Sequence, residues 1–244
     1  MTLASAKYAP LVREAVAHYW KTLARQSAKQ KAGDADRGGR AAVTGGKQMD
    51  GFCRVVKTVL ADSGLQDADI FLNKKLELPG YFRPTKSWDL LVVSRGRLVA
   101  AMEFKSQAAP SFGKNFNNRT EEAIGNATDL WTACREGAFG KDSLRPWLGW
   151  VMLLEECPES TSPVGVAEPH FKVFPEFRDT SYAKRYEILL QKLIRERLYD
   201  SAAFLIATKV GGPKGEFTEP SNDLTMKAFL AGLAGHVGVH VASR

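Results

Sequence analysis

The chain has 244 residues, of which 44% are hydrophobic and 25% charged, with 21 glycines and 11 prolines. This ordinary globular composition excludes collagenous, disordered and low-complexity proteins, and the length is sufficient for one large domain or two small ones. Lysine and arginine outnumber aspartate and glutamate by 34 to 27, and the net charge of +7 favours a polyanionic partner such as nucleic acid.

The sequence lacks the patterns of export, membrane insertion or a cysteine-based site. Its longest apolar run, residues 147–154, is far shorter than a bilayer span, and the N-terminus lacks the basic-then-apolar order of a secretion signal. The three cysteines cannot all pair and none has C-x-x-C spacing, while the four histidines are scattered. We therefore expect a soluble cytoplasmic protein with reduced thiols, no membrane partner and no zinc site.

The periodicity of the apolar residues predicts helices and strands along the whole chain. In the first half, the predicted elements are helices over 10–31 and 48–63, strands over 70–78, 88–93 and 97–107, and a helix over 120–135. Gly64 is placed to end the second helix, and residues 94–96 form a turn. The basic, glycine-rich stretch near 32–47 is a predicted loop, as is the asparagine-rich stretch whose Asn118 and Thr120 are predicted helix caps.

The second half alternates strands and helices. The predicted elements are a strand over 147–154, a helix over 181–198, a strand over 202–210, a helix over 224–233 and a strand over 237–241. Gly235 and Gly238 argue against a helix around His236 and His240. The order of elements implies a mixed central sheet flanked by helices, an α/β (α+β) architecture. No change of composition marks a boundary, so we expect a single domain over 1–244 with elaborations after about residue 158.

The most informative segment is the predicted pair of strands between Trp88 and Lys105, which carries charged residues among apolar ones. A two-residue turn would place Asp89 and Glu103 on opposite faces, whereas a three-residue turn would place Asp89 opposite Ala101 and diagonal to Glu103. The glycine at position 96 favours the longer turn, so Asp89, Glu103 and Lys105 are expected on one face. The other face is expected to carry Leu90, Val92, Leu98, Ala100, Met102 and Phe104.

Two carboxylates and an ammonium on a partly apolar strand face are costly unless they pair with one another or serve a reaction. One interpretation is a salt-bridged strand end in which Lys105 pairs with Glu103. The other is a site for Mg²⁺, which takes carboxylate oxygens and completes its shell with water and phosphate. A metal held by Asp89 and Glu103 would acidify a water for attack on a phosphodiester, and Lys105 would position or deprotonate that water.

The pattern Asp, turn, Glu-x-Lys resembles the signature of the PD-(D/E)xK nucleases, although Trp88 stands where the signature has proline. Longer segments resemble the XhoI family of type II restriction endonucleases over about residues 45–155. They are Gly-Lys-Gln-Met-Asp-Gly-Phe from Gly46, Glu-Phe-Lys-Ser-Gln from Glu103, Pro-Ser-Phe-Gly-Lys-Asn-Phe from Pro110, Asn-Ala-Thr-Asp-Leu-Trp from Asn126, and Pro-Trp-Leu-Gly-Trp from Pro146.

This resemblance implies a PD-(D/E)xK restriction-endonuclease-like core and a homodimeric, Mg²⁺-dependent enzyme that cuts both strands of the palindrome CTCGAG and leaves 5′ phosphates. It implies that Asp89, Glu103 and the backbone carbonyl of Phe104 bind the metal, and that Lys105 is the catalytic lysine. Asp50 is a candidate for an acidic residue that contacts metal in some nucleases of the superfamily; the alternative is an exposed acid at a helix N-terminus. A separate DNA methyltransferase is expected in the same restriction-modification system.

Sequence recognition requires side chains that reach base edges, since Arg and Lys pair with guanine and Asn and Gln with adenine. The predicted loop after the catalytic strand supplies Lys114, Asn115, Asn117, Asn118 and Arg119. The glycine-rich stretch supplies Arg37, Arg40, Lys47 and Gln48. The alternative for the asparagines is that they form turns with their own backbone.

Two other functions are compatible with the same residues. A structure-selective repair or junction nuclease of the superfamily would cut only branched or damaged DNA. A non-catalytic nucleic-acid-binding protein, in which Lys105 only neutralises Glu103, would bind equally with chelator or Mg²⁺. No G-x-x-x-x-G-K-[ST] phosphate loop occurs in the sequence, which disfavours an ATP-driven enzyme.

Overall fold

The fold was analysed in a computed structural model that describes residues 5–31, 47–140 and 144–243. Within these ranges, two N-terminal helices are followed by five consecutive strands and then by helices interspersed with two further strands. The elements are α1 (Ser5–Lys31), α2 (Asp50–Asp62), β1 (Ile70–Phe71), β2 (Glu77–Pro79), β3 (Thr85–Ser87), β4 (Leu90–Ser94), β5 (Arg97–Gln107), α3 (Phe112–Arg135), β6 (Trp147–Glu155), α4 (Pro158–Thr161), α5 (Tyr182–Arg195), β7 (Ser201–Ala207) and α6 (Met226–Ala242).

A five-stranded mixed sheet in the order β1-β4-β5-β6-β7 forms the centre of the molecule. The β1–β4 and β4–β5 pairs are antiparallel, whereas β5–β6 and β6–β7 are parallel. Every residue of β6 is buried, as expected of a strand that is covered on both faces. Strands β2 and β3 form a separate antiparallel hairpin.

Helices cover both faces of the sheet and divide the core into two layers. On one face α1, α2 and α6 pack against side chains such as Val92 and Val151. On the other face α3 and α5 pack against side chains such as Leu91 and Trp150. The predicted mixed sheet flanked by helices is therefore confirmed.

The hairpin of β4 and β5 has a different register from the predicted one. Its turn has two residues, Arg95 and Gly96, which both take positive φ (53° and 73°) as a tight hairpin turn requires. A bulge at Val99 then adds one residue to β5, so that Leu90 pairs with Met102. Because neighbouring side chains alternate between faces, Asp89 and Glu103 both lie on the face opposite that of Leu90 and Met102. The predicted three-residue turn was wrong. The extra residue in the bulge has the same effect as a longer turn, because it places the carboxylates of Asp89 and Glu103 on one face of the sheet.

The same bulge corrects one core assignment. Leu98, predicted to lie with Leu90 and Val92, instead lies in the layer of Leu91 and Ala101, under α3 and α5. Val99 takes its place beside Val92. When one residue is inserted into a strand, the side chains between the insertion and the turn move to the opposite face of the sheet.

The predictions of a strand over 70–78, of an asparagine-rich loop and of two helix caps in that loop were also wrong. The strand over 70–78 is two short strands, β1 and β2, that belong to different sheets. The asparagine-rich segment is helical, because α3 begins at Phe112, so that Asn118 and Thr120 lie within the helix and do not cap it. Phe112 is buried and Phe116, one turn later, packs edge-to-face on Tyr186 of α5 at 5.1 Å, and this apolar stripe outweighs the turn propensity of the asparagines.

The C-terminal region is one helix, α6, in place of a helix and a strand. Leu233 and Val237 are fully buried at helical spacing, whereas Gly235 and Gly238 lie on the exposed side. Among the helices of the described ranges, none is long and apolar enough to cross a membrane.

Candidate active site

The predicted site residues lie where β5 extends beyond the start of β4. Met102 is the last residue of β5 paired with β4, whereas Glu103 to Gln107 are paired only with β6, on the other side. This geometry leaves a recess beside β5 that Glu103 and Lys105 enter from the same strand face. Asp89, just before β4, borders the recess and donates its backbone N–H to the carbonyl of Met102 at 3.2 Å.

Glu103 is the centre of the arrangement, with no exposed surface. Its Oε2 forms an ion pair with the ammonium of Lys105, and its Oε1 forms one with the ammonium of Lys86 from β3. Burial opposes ionisation of Glu103, but the charges of Lys105 and Lys86 outweigh it and hold the pKa below its usual range. A buried carboxylate with two ammonium partners remains negative.

Asp89 is the second carboxylate, and its side chain is 40% exposed. Its Oδ2 accepts a hydrogen bond from the backbone N–H of Phe104 at 2.7 Å and lies 3.8 Å from Nζ of Lys105. Desolvation and the nearby charge of Glu103 raise the pKa of Asp89 to about 6. Both carboxylates therefore lie within reach of one ammonium, and we call Lys86, Asp89, Glu103 and Lys105 the charged cluster.

Lys105 is held as a cation in this cluster. Burial would lower its pKa, but the charges of Glu103 and Asp89 raise it above its usual value. Its ammonium also lies 5.8 Å from the ring centre of Trp150, on the neighbouring strand. An amine in this state donates hydrogen bonds and attracts anions, and it does not accept a proton.

A cavity of about 700 Å³ opens in front of the cluster. Its lining includes Asp89, Phe104 and Lys105, together with Gln48, which lies just before α2, and Asp50, the first residue of α2. Gln48 donates from Nε2 to Oγ of Ser106 at 3.0 Å, which ties this part of the lining to β5.

Asp50 thus lies at the cavity, but separate from the two carboxylates of the cluster. Cys53 also lines the cavity, and burial and the charges of Asp89 and Asp50 raise the pKa of its thiol, which disfavours the thiolate. Across the described ranges, no group of three or more His, Cys, Asp and Glu side chains could hold a metal ion together.

The candidate DNA-contacting residues have different positions. Arg119 lines the cavity from α3, where it is paired with Glu122, and its Nε makes no hydrogen bond within the described part of the chain. Lys114, Asn117 and Asn118 are exposed on the first turns of α3 and Asn115 is half-buried there, outside the cavity lining. Arg37, Arg40 and the side chain of Lys47 lie outside the described residues.

The amino-acid sequence matches that of a known protein family. Residues 28–219 match the family of restriction endonuclease XhoI. The chain belongs to the XhoI restriction endonuclease family. It is therefore a type II restriction enzyme, a site-specific deoxyribonuclease.

Three relatives illustrate how much of the chain is shared. The type II restriction enzyme BstVI of Geobacillus stearothermophilus is 53% identical over 88% of this chain and 97% of its own. XhoI of Xanthomonas vasicola is 48% identical over 80% of this chain and 78% of its own, and AbrI of Azospirillum brasilense is 53% identical over 70% and 78%. No solved structure is significantly similar to the chain.

The cluster fits a divalent cation in this family of nucleases. Its oxygen donors are the hard ligands that such a cation prefers. Burial and the charge of Glu103 raise the pKa of Asp89, so a cation beside Asp89 would favour its ionised form. The N–H of Phe104 points to Asp89, and since N–H and C=O of one strand residue point to the same edge, its carbonyl faces the recess as well.

Sequence reasoning missed Lys86. It lies three residues before Asp89 in a short hairpin of exposed residues, and its partner Glu103 is 17 positions away. Its ammonium also contacts the carbonyl of Ser87 and the ring of Trp88, whose centre is 4.8 Å away. The only signal in the sequence was a lone basic residue close to the acidic motif, which is too common to mark a site.

Proposed function

We propose that this restriction endonuclease is Mg²⁺-dependent, that it cuts both strands of the palindrome CTCGAG and that it leaves 5′ phosphates. The observation that supports the chemistry is the pair of carboxylates formed by the buried, ionised Glu103 and by Asp89, with the ammonium of Lys105 within 4 Å of both. The target and the position of the cut rest on the family resemblance. The separate methyltransferase and the homodimer are proposed on the same ground.

In this mechanism the oxygens of Asp89 and Glu103 and the carbonyl of Phe104 would hold the metal. Bound Mg²⁺ would acidify a coordinated water and offset charge on the phosphate. The carboxylate of Glu103 is buried and would be a ligand of fixed position, whereas the carboxylate of Asp89 lies at the exposed side of the recess.

Lys105 acts as a cation in this proposal. Its ammonium is paired with Glu103 and lies 3.8 Å from Oδ2 of Asp89, and without metal the charges of these two carboxylates raise its pKa. From this position it would orient the attacking water by a hydrogen bond and stabilise the negative charge that develops on the phosphate. Of the two roles that the sequence left open for Lys105, positioning is the one we assign.

DNA would approach the open side of the cavity. Arg119, whose guanidinium is partly exposed and paired with Glu122, lines the cavity, and so does Gln48. We assign phosphate or base contacts to these two residues, and outer contacts to Lys114, Asn115, Asn117 and Asn118 on the first turns of α3. Arg37, Arg40 and Lys47 remain candidates from the sequence. Asp50 is proposed as a cavity-wall acid and not as a direct ligand.

The test is digestion of a plasmid of known sequence with Mg²⁺, followed by end mapping. We expect discrete fragments with 5′ phosphates that begin within CTCGAG, and no cutting in EDTA. Asp89→Asn and Glu103→Gln should reduce cleavage at least 1,000-fold while DNA binding is retained, and Asp67→Asn, which changes an exposed acid, should cut like the wild type. Full activity of either cluster variant, or cleavage only of branched DNA, would refute the proposal.

A further inference from the structure

The tip of the β2–β3 hairpin presents two aromatic side chains to solvent. Tyr81 is 54% exposed and Phe82 is 69% exposed, and their rings meet edge-to-face with centres 4.9 Å apart. Adjacent exposed aromatic residues are unfavourable in water unless they serve an interface. The proposed catalysis uses neither of them.

A buried carboxylate holds this tip in place. Asp129 of α3 accepts hydrogen bonds from the backbone N–H groups of Tyr81 and Phe82, both at 2.8 Å, and from Nε of Arg83 at 2.7 Å. Arg83 also donates to the side chain of Asn126 at 2.7 Å. Both rings are therefore carried on a fixed turn, so little conformational entropy is lost when a partner binds them.

The hairpin is continuous with the active site. Leu76, just before β2, lines the catalytic cavity, and Lys86 of β3 is paired with Glu103. Phe82 and Lys86 are four positions apart in the chain, so at most about 13 Å of backbone, at roughly 3.3 Å per residue, joins the tip to the charged cluster. A major groove of DNA is about 12 Å wide, so one duplex is wide enough to contact both.

The exposed charges beside the hairpin favour a polyanion. Residues 74–88 contain four basic residues and one acidic residue, Glu77. Arg83 and Lys86 are paired with Asp129 and Glu103, whereas Lys74 and Lys75 are exposed. Aromatic rings contact DNA through base faces, thymine methyl groups or sugars, and such contacts carry no charge of their own.

The geometry points to a role for the hairpin tip in substrate binding: Tyr81 and Phe82 enter a groove of the DNA beside the scissile phosphate and make the apolar contact of the complex. This inference rests on the proposed nuclease function, because it takes the DNA to lie on the cavity side of the sheet. Asp129 acts as the positioning residue that fixes the tip.

The experiment measures the binding of the variant Tyr81→Ala/Phe82→Ala to a fluorescent DNA duplex that carries the mapped cleavage site, in EDTA to prevent cutting. We expect binding at least fivefold weaker than wild type, with the dependence on salt unchanged because no cation is lost. Phe171→Ala, which removes an 87% exposed phenylalanine from another segment, is the matched control and should bind like the wild type. Affinity of the double variant within twofold of wild type would overturn the inference.

A second measurement needs no variant. In the wild type, 5-iododeoxyuridine placed in and around the site should crosslink under light to the peptide that contains Tyr81 and Phe82, and crosslinks to other peptides only would overturn the inference. If the double variant instead changes the oligomeric state without DNA, the tip is an interface between two copies of the chain and the inference is wrong. Wild type that neither binds nor cuts DNA would refute the proposed function itself.

Discussion

Glu103 is the residue on which the charge balance of the site depends. An ionised carboxylate without solvent costs several kcal/mol unless cations compensate it, and here Lys86 and Lys105 do so. With Asp89, the charged cluster contains two negative and two positive groups. A divalent cation between the carboxylates would replace part of the lysine charge. Lys86 comes from a separate hairpin, whereas Lys105 lies on the same strand as Glu103.

We predict that Lys86→Met destabilises the metal-free protein more than the metal-bound protein. The variant leaves Glu103 with one ammonium partner, which should cost about 2 kcal/mol in EDTA; saturating Mg²⁺ should recover most of this loss because the metal supplies the missing charge. Denaturant unfolding in both buffers measures the difference. Lys57→Met, which removes a cation paired with the exposed Asp67, is the control and should change little in either buffer. An equal loss in EDTA and in Mg²⁺ would contradict the prediction.

Asp129 provides a second test at this scale. Burial would raise its pKa, but the N–H groups of Phe82 and Tyr81 and the guanidinium of Arg83 lower it below the usual range. Because the folded-state pKa is depressed, the stabilisation is present above the unfolded pKa of about 4 and is lost as pH falls through the folded value.

We therefore expect Asp129→Asn to be less stable than wild type by about 1–3 kcal/mol at pH 7, and the difference to shrink below pH 4. Unfolding curves at both pH values measure it. Asp67→Asn should show no such pattern, because that acid is exposed. A difference that stays constant with pH would show that the charge of Asp129 is not what holds the hairpin tip.

At the scale of elements, the β4–β5 hairpin shows what a sequence can and cannot predict. The strand bounds of β5 were predicted as observed, because an apolar run between a turn and a proline is a strong signal. The bulge at Val99 was not predictable, because bulges depend on how two strands pair and have no residue signature at a valine. Asp89 and Glu103 were expected together, but through the wrong turn.

In helix α6, the local sequence favours a strand whereas the packing of the core favours a helix. Val237 and Leu233 are buried in the core, and this contact sets the helix in spite of the glycines and β-branched residues that predicted a strand. Nothing lies within 4 Å of a Cβ built at Gly235.

We predict that Gly235→Ala stabilises the protein by about 0.5–1 kcal/mol, because alanine favours a helix and glycine does not. Gly149→Ala is the contrast, since its Cβ would lie 2.3 Å from the ring of Trp147 and should destabilise the fold. Thermal unfolding of both variants gives the answer. A destabilised Gly235→Ala would indicate that residues 232–242 are not helical.

At the scale of the whole molecule, the architecture was predictable because strongly apolar strands alternate with amphipathic helices. The site was predictable in part, since Asp89, Glu103 and Lys105 are charged residues in apolar surroundings. The contacts of the β2–β3 hairpin could not be predicted, because Lys86 pairs with Glu103 and Arg83 pairs with Asp129, and the partners are 17 and 46 positions apart in the sequence. Pairings of that kind depend on the assembled fold and not on local pattern.

A palindromic target has two-fold symmetry, and two identical chains match it most simply. We predict that the protein sediments at about twice 26.8 kDa and that two chains bind one duplex. Analytical ultracentrifugation with and without DNA measures both quantities. A monomer that stays monomeric on its cognate duplex would exclude the symmetric arrangement.

The most direct test of the account is the binding of Mn²⁺, as a spectroscopic substitute for Mg²⁺, to the wild-type protein on its cognate DNA. Electron paramagnetic resonance should show bound metal in the wild type and its loss in both Asp89→Asn and Glu103→Gln, while the Asp67→Asn control keeps it. Undiminished Mn²⁺ binding in the two cluster variants, with folding intact, would contradict the claim that these carboxylates hold the metal.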